Sequence, residues 1–301
     1  MSSALETGVL LLAHGSPDSV DEIPEFLHQV TGGRQLPPQV VAEVQHRYGL
    51  IGRSPLTELT LKQGELLARE LGLPIYVGMR NWNPYIADAV RDMKRDGIRR
   101  AVVICLAPQN SRTSVGLYRA ALNGQGDLPF SVDFIESWHD HPLLIRAFAE
   151  RLRCGLSTAR GQASTDLPVI FTAHSVPQRT VVEGDPYEHQ ARQTATLVAA
   201  ATGLPSEDWT FAFQSQGMSG GAWLGPTVED TILELKRRGH HGVFLQPVGF
   251  LCDHVEVLYD IDIGFRQFAR QEGMELWRAE SLNDSPQLTA ALADLVRARL
   301  G

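Results

Sequence analysis

A chain of 301 residues is longer than one hydrophobic core usually organises, and predicts two units of about 150 residues. Hydrophobic residues make up 43% and charged ones 21%, with no polar or repetitive tract, which excludes extended disorder. The 27 basic residues against 35 acidic ones give a formal charge of −8, which suits cations and excludes a general nucleic-acid surface, because phosphate neutralisation needs clustered Lys and Arg.

The apolar run Gly8–Ala13 is preceded by Glu6 and is too short for a secretion signal. No window approaches the roughly 18 uninterrupted apolar residues of a membrane helix, so no transmembrane segment and a cytoplasmic location are expected. The run reads as a buried strand ending in Ala13-His14-Gly15-Ser16-Pro17. Further on, Asn83-Pro84-Tyr85-Ile86-Ala87-Asp88 through Lys94-Arg95-Asp96-Gly97 predicts a helix with proline in its first turn, basic residues in its last and glycine just beyond. Ala101–Pro108 follows as a second buried strand. His139-Asp140-His141 lacks a carboxylate at a ligand-like spacing and reads as a surface feature. The small polar stretch Ser157–Thr165 marks a boundary between domains 1–160 and 161–301, with the last helix free to pack back on the first domain.

The second half repeats the first. Val169–Pro177 matches Val9–Pro17, so His174 stands where His14 stood. Gly225-Pro226-Thr227-Val228-Glu229-Asp230 through Lys236-Arg237-Arg238-Gly239 matches the helix at Pro84, and Gly242–Pro247 matches the following strand. From His14 to Pro84 is 70 positions and from His174 to Pro226 is 52, which places a surplus near Asp18–Pro38 in the first half. The expected fold is therefore α/β: two similar doubly wound, Rossmann-like parallel-sheet domains, with ligands outside the carboxyl ends of the strands where both histidines lie.

No Gly-x-Gly-x-x-Gly or Walker motif is present, so no nucleotide is expected, and Gly217–Gly221 reads as a loop. Cys105, Cys154 and Cys252 are far apart and supply neither a disulfide framework nor the four thiolates of an iron–sulfur cluster. His240-His241, just past a helix-ending glycine, reads as surface.

The densest stretch is Pro247–Asp262, a strand exit running into Asp253, Glu256, Asp260 and Asp262. Asp253 is expected to cap a helix in which Asp253, Glu256 and Asp260 share one face. Stacked carboxylates are candidate metal or proton sites, against the plain alternative of a solvated acidic first turn. His174 on the same rim supplies an imidazole partner, a combination suited to taking protons from a substrate and holding a divalent ion.

Thr172-Ala173-His174-Ser175, Gly184-Asp185-Pro186-Tyr187, Trp223-Leu224-Gly225-Pro226 and the whole of Pro247–Asp262 resemble segments of ferrochelatases, as do Arg47-Tyr48, Gly52, Ser54-Pro55-Leu56 and Ala107-Pro108. The pattern is most similar to coproporphyrin-type bacterial members and covers essentially the whole chain. The resemblance implies a porphyrin cleft between the domains, with a lip formed near residues 18–38, and ferrous iron and porphyrin as substrates in heme biosynthesis. It implies His174 and Glu256 as the catalytic and metal-binding pair, Asp253 and Asp260 as a relay, and His14, Arg47, Tyr48, Ser54 and Tyr118 as substrate contacts. His14 replaces the tyrosine of the coproporphyrin-type relatives, and Thr31-Gly32-Gly33-Arg34 carries fewer arginines than theirs. The alternatives are a sirohydrochlorin cobalt or nickel chelatase, whose short chains lack the Pro247–Asp262 pattern, and a non-catalytic heme or porphyrin carrier. The sequence does not fix the oligomeric state.

Overall fold

The computed structural model describes residues 6–163, 167–217 and 221–301. In chain order the first half comprises β1 (Thr7–Ala13), α1 (Ile23–Val30), α2 (Pro38–Ile51), α3 (Leu56–Leu71), β2 (Ile75–Met79), α4 (Ile86–Arg95), β3 (Arg100–Cys105), α5 (Val115–Asn123), β4 (Ser131–Ile135) and α6 (Pro142–Gln162). The second comprises β5 (Val169–His174), α7 (Gln178–Val182), α8 (Tyr187–Thr202), β6 (Trp209–Gln214), α9 (Val228–Arg237), β7 (Gly242–Pro247), α10 (Val255–Leu258), a π-helix (Asp260–Phe265), α11 (Arg266–Gln271), β8 (Glu275–Arg278) and α12 (Pro286–Leu300).

The strands form two four-stranded parallel sheets of matching order, β2-β1-β3-β4 and β6-β5-β7-β8. The expected pair of parallel sheets is borne out. Val9–Leu12 and Val169–Phe171 are inaccessible to solvent because helices cover both faces of each sheet, which is why these strands read as unbroken apolar runs. One continuous core joins the halves, running from Val9, Leu11 and Ile104 through Phe148 of α6 and Leu292 of α12 to Phe171 and Phe244. Separate clusters cover the outer face of each sheet.

Two local expectations change. Pro84 and Pro226 precede their helices rather than opening them: Tyr85 and Thr227 are the N-caps of α4 and α9. The proline carbonyls accept the N–H groups of Met79 (2.7 Å) and Phe213 (2.8 Å), so each closes off a strand end, and the two halves do so identically. The polar stretch from Ser157 is helical as far as Gln162, because Leu152, Leu156 and Ala159 continue a buried stripe at three- and four-residue spacing. Residues 164–166 lie outside the described residues. α12 packs on both α3 and α6. Among the described residues no helix is long and apolar enough to cross a membrane.

Candidate active site

His174 is the last residue of β5 and His14 follows β1 directly, so both stand at the carboxyl ends of central strands. Their rings are held alike. Nδ1 of His14 donates to the carbonyl of Gly15 (3.0 Å), and Nδ1 of His174 donates to that of Ser175. Since a carbonyl only accepts, each Nδ1 carries a proton, and in the neutral ring Nε2 is the nitrogen left with a free lone pair.

Glu256 comes from α10. Its Oε1 lies 3.3 Å from His174 Nε2 and its Oε2 3.4 Å from His254 Nε2, with both members of the His174–Glu256 pair one-third exposed. Burial pulls the His174 pKa down, but the charge and hydrogen bond of Glu256 outweigh it and hold it up at about 9. Burial would raise Glu256, yet His174 and His254 keep it well below the usual carboxylate range. At neutral pH the resting site is thus an imidazolium–carboxylate pair. His14 behaves oppositely: burial lowers its pKa and the nearby Arg80 lowers it further, against the bond to Gly15. The rim of the first half is therefore a neutral imidazole beside a guanidinium.

The acidic segment does not form one carboxylate face. His254, not Asp253, occupies the N-cap position of α10, and α10 lasts one turn before widening into the π-helix, where the Gly264 N–H reaches the Tyr259 carbonyl five residues back (2.9 Å). Asp253 is turned away and accepts from Ser281 Oγ (2.8 Å) and Asn283 Nδ2 (2.9 Å), 3.3 Å from the Arg278 guanidinium. Arg278 also forks onto both oxygens of Asp262 at 2.8 Å. A half-buried cation thus neutralises two of the four acids, relieving the repulsion that the spacing implied. Asp260 stays on the His174 side: it accepts from Ser215 Oγ and lies 3.7 Å from Arg47, and burial raises its pKa.

The expected substrate contacts divide. Arg47 is committed to Glu43 (2.9 Å) and Asp260 and lies over the Tyr259 ring at 5.0 Å, so α2 reaches across to the second half. Tyr48 is buried with its hydroxyl on Ser16 Oγ (3.1 Å), and burial pushes its pKa up to about 12. Ser54 is buried with its Oγ unpartnered, and Tyr118 is buried in α5 with its pKa raised by burial. The Asp18–Pro38 region folds into a short turn and α1, whose Phe26 meets the His14 ring edge-on at 5.9 Å.

His139 is not a surface residue: it is buried, its ring nitrogens bonded to Ser137 Oγ (2.7 Å) and Gln193 Oε1 (2.9 Å) between the halves. His141 is mostly covered and meets Asp294 at 3.2 Å, while His241 is exposed as expected. Met218, Ser219 and Gly220 of the glycine-rich loop lie outside the described residues. Sequence reasoning missed His254, Gln214, Ser215 and Arg80; only His254, inside the acidic stretch, carried a readable signal. Among the described residues no group of three or more His, Cys, Asp or Glu side chains is placed to hold a metal.

A family model described as Ferrochelatase matches residues 6–300. A ferrochelatase of Acidobacterium capsulatum is 57% identical, the match covering 97% of this chain and 94% of that one. A ferrochelatase of Deinococcus radiodurans is 40% identical (96% and 94%) and a coproporphyrin III ferrochelatase of a Geobacillus species 32% identical (97% of each). Among solved structures, SirB from Bacillus subtilis with Fe3+ aligns with a TM-score of 0.59 at 11% identity, over 97% of this chain and 94% of that one. CbiX, the terminal enzyme of siroheme biosynthesis in denitrifying bacteria, gives 0.55 at 14%, over 98% and 100%. At such identities the two structures share the fold alone.

Proposed function

The chain belongs to the ferrochelatase family, metal chelatases that insert ferrous iron into a porphyrin for heme synthesis, and from that premise we propose that His174 and Glu256 carry the insertion. The observation behind this is the 3.3 Å His174–Glu256 pair at the strand-end rim. Two ligands suit a metal in transit, because the four pyrrole nitrogens must take it over. A divalent ion approaching Glu256 repels the imidazolium proton, and His174, once neutral, offers Nε2 to iron or to a pyrrole N–H proton. Asp260, four residues from Glu256 on the same rim, takes the proton onward. Asp253 is withdrawn by Arg278 and serves the fold of the segment rather than a relay.

The porphyrin occupies the cleft, with His14 on the face opposite His174. Arg47 is the counter-charge for a substrate carboxylate, which it meets by leaving Asp260. Ser54, with an unpartnered hydroxyl, is a second contact; Tyr48 and Tyr118 line the pocket from beneath. Coproporphyrin III is the favoured substrate over protoporphyrin IX: the compact Arg47-Tyr48 to Ser54-Pro55-Leu56 segment supports it, as does the relative of that name. No resident cofactor is required, since iron is consumed, and the three free cysteines fit a cytoplasmic setting.

The test is metallation of coproporphyrin III, protoporphyrin IX and sirohydrochlorin by purified protein with ferrous iron, followed by absorbance. Coproporphyrin III should turn over fastest, and equal or faster use of protoporphyrin IX would overturn the substrate choice. His174→Ala should lose at least about 100-fold in kcat while porphyrin affinity stays within about threefold. Wild-type rates in that variant would remove His174 from the mechanism.

A further inference from the structure

The carboxyl end of β6 bonds to Ser175, Glu256 and Asp260, and no motif pointed to it. Gln214 lies in register with His174 across the sheet and is almost completely buried. Its carbonyl accepts the Ser175 N–H (2.7 Å), and the Ser175 carbonyl in turn fixes the His174 ring. Its side-chain Nε2 donates to the backbone carbonyl of Glu256 (3.0 Å). Ser215 follows and donates its hydroxyl to Asp260 Oδ2, while Asp260 Oδ1 faces Arg47 at 3.7 Å.

Ser215 does this from an unfavourable backbone. Its φ is +58°, in the left-handed region that a Cβ disfavours and where glycine would be the default. Among the described residues only one other non-glycine residue has a positive φ: Asn283, at +51°. Asn283 also holds an acid of the same segment, donating to Asp253 Oδ2 and accepting the Asp253 N–H (2.8 Å). These two disfavoured conformations thus lie on either side of Glu256, and each ends on a neighbouring carboxylate. Backbone strain kept where glycine would relieve it points to a side chain that is needed. In the first half, the positions in register with Gln214 and Ser215 are Arg80 and Asn81, and their backbone N–H groups bond to Ala13 and His14 instead. Among the described residues, side-chain bonds from this strand exit to the acidic segment occur only in the half that carries the His174–Glu256 pair.

We propose that Ser215 is a positioning residue for iron insertion, holding Asp260 in the orientation in which it serves the His174–Glu256 pair. The inference rests on the reading of Asp260 given above, and it assigns to a strand-exit turn the task of sorting the acids. Asn283 and Arg278 turn Asp253 outward, and Ser215 turns Asp260 inward.

A double-mutant cycle tests it. Ser215→Gly removes the hydroxyl and suits the backbone, so it should fold at least as well as the wild type. Its kcat should fall about tenfold while KM and the porphyrin dissociation constant, read by fluorescence titration, stay within about twofold. Asp260→Asn should lose at least as much, and the pair combined should be no worse than Asp260→Asn alone. Wild-type kcat in Ser215→Gly beside an impaired Asp260→Asn overturns the inference and leaves the role of Asp260 standing. Wild-type kcat in Asp260→Asn overturns both. Losses that multiply in the double variant also overturn it, since Ser215 then acts through another group. Ser215→Ala keeps the strain and loses the hydroxyl; loss of activity there but not in Ser215→Gly shows that the backbone alone matters, against the proposal.

Discussion

His14 and His174 follow equivalent strands and aim Nδ1 at the next carbonyl, yet their pKa values move in opposite directions. Burial lowers both; at His14 it prevails and Arg80 adds to it, whereas at His174 the Glu256 carboxylate outweighs it. The pair also links stability to pH. The folded pKa of His174, about 9, lies above its ordinary 6.5, so its contribution is full below 6.5 and lost as pH rises through 9. The folded pKa of Glu256 lies below its ordinary 4.5, so its contribution is present above 4.5 and lost only as pH falls through the lowered value. The melting temperature of wild type should therefore exceed that of Glu256→Gln most at about pH 6, and the gap should close towards about pH 10. A gap that stays constant across this range means that the ion pair does not form.

At the scale of elements, the turn after β7 sets the position of β5 and therefore of His174. Gly249 crosses so close to the end of β5 that an added Cβ would lie 2.8 Å from Ala173 Cβ and 2.9 Å from its Cα. A backbone neighbour cannot rotate away, so Gly249→Ala must shift one strand against the other. We expect a cost of about 1–3 kcal/mol in denaturant unfolding and a fall in kcat larger than in porphyrin affinity. An unchanged midpoint and rate would show that the turn yields freely. The π-helix acts at the same scale: its wider turn, which opens at Asp260, changes the direction in which Asp262 leaves the axis, which no count of three and four could supply.

Across the whole molecule, Asp185 is the clearest tie between the halves. Its carboxylate is fully buried and accepts from Ser111 Oγ (3.1 Å) and the Arg112 N–H (2.7 Å) of the first half, and from the Tyr187 N–H (3.0 Å) of the second. Asp185→Ala strands three donors, two of them buried, and should cost about 3 kcal/mol, with Asp185→Asn retaining part of that. Because one apolar core spans both sheets, we expect wild type to unfold in a single transition by both fluorescence and circular dichroism. Two separated transitions would mean that the halves are energetically independent. The Gly184-Asp185-Pro186-Tyr187 segment resembled a family signature; in the fold its Asp185 forms this strut and its Tyr187 hydroxyl donates to the His174 carbonyl (2.9 Å).

The sequence by itself determined the two parallel sheets, their duplication and the rim where His14 and His174 stand, because buried parallel strands leave unbroken apolar runs and capped helices leave proline, basic residues and glycine at fixed offsets. It also singled out Glu256 as a candidate, through the resemblance carried by Pro247–Asp262. Tertiary structure alone decided which acids face His174, since Asp253 and Asp262 are claimed by Arg278, a residue 25 and 16 positions away that spacing does not connect to them. It alone decided that Arg47 rests on Asp260, that His139 is buried, and that Gln214 and Ser215 bond to Glu256 and Asp260. Local patterns report periodicity and caps; the partners of a buried charge come from other strands, and only the folded chain brings them within hydrogen-bonding distance.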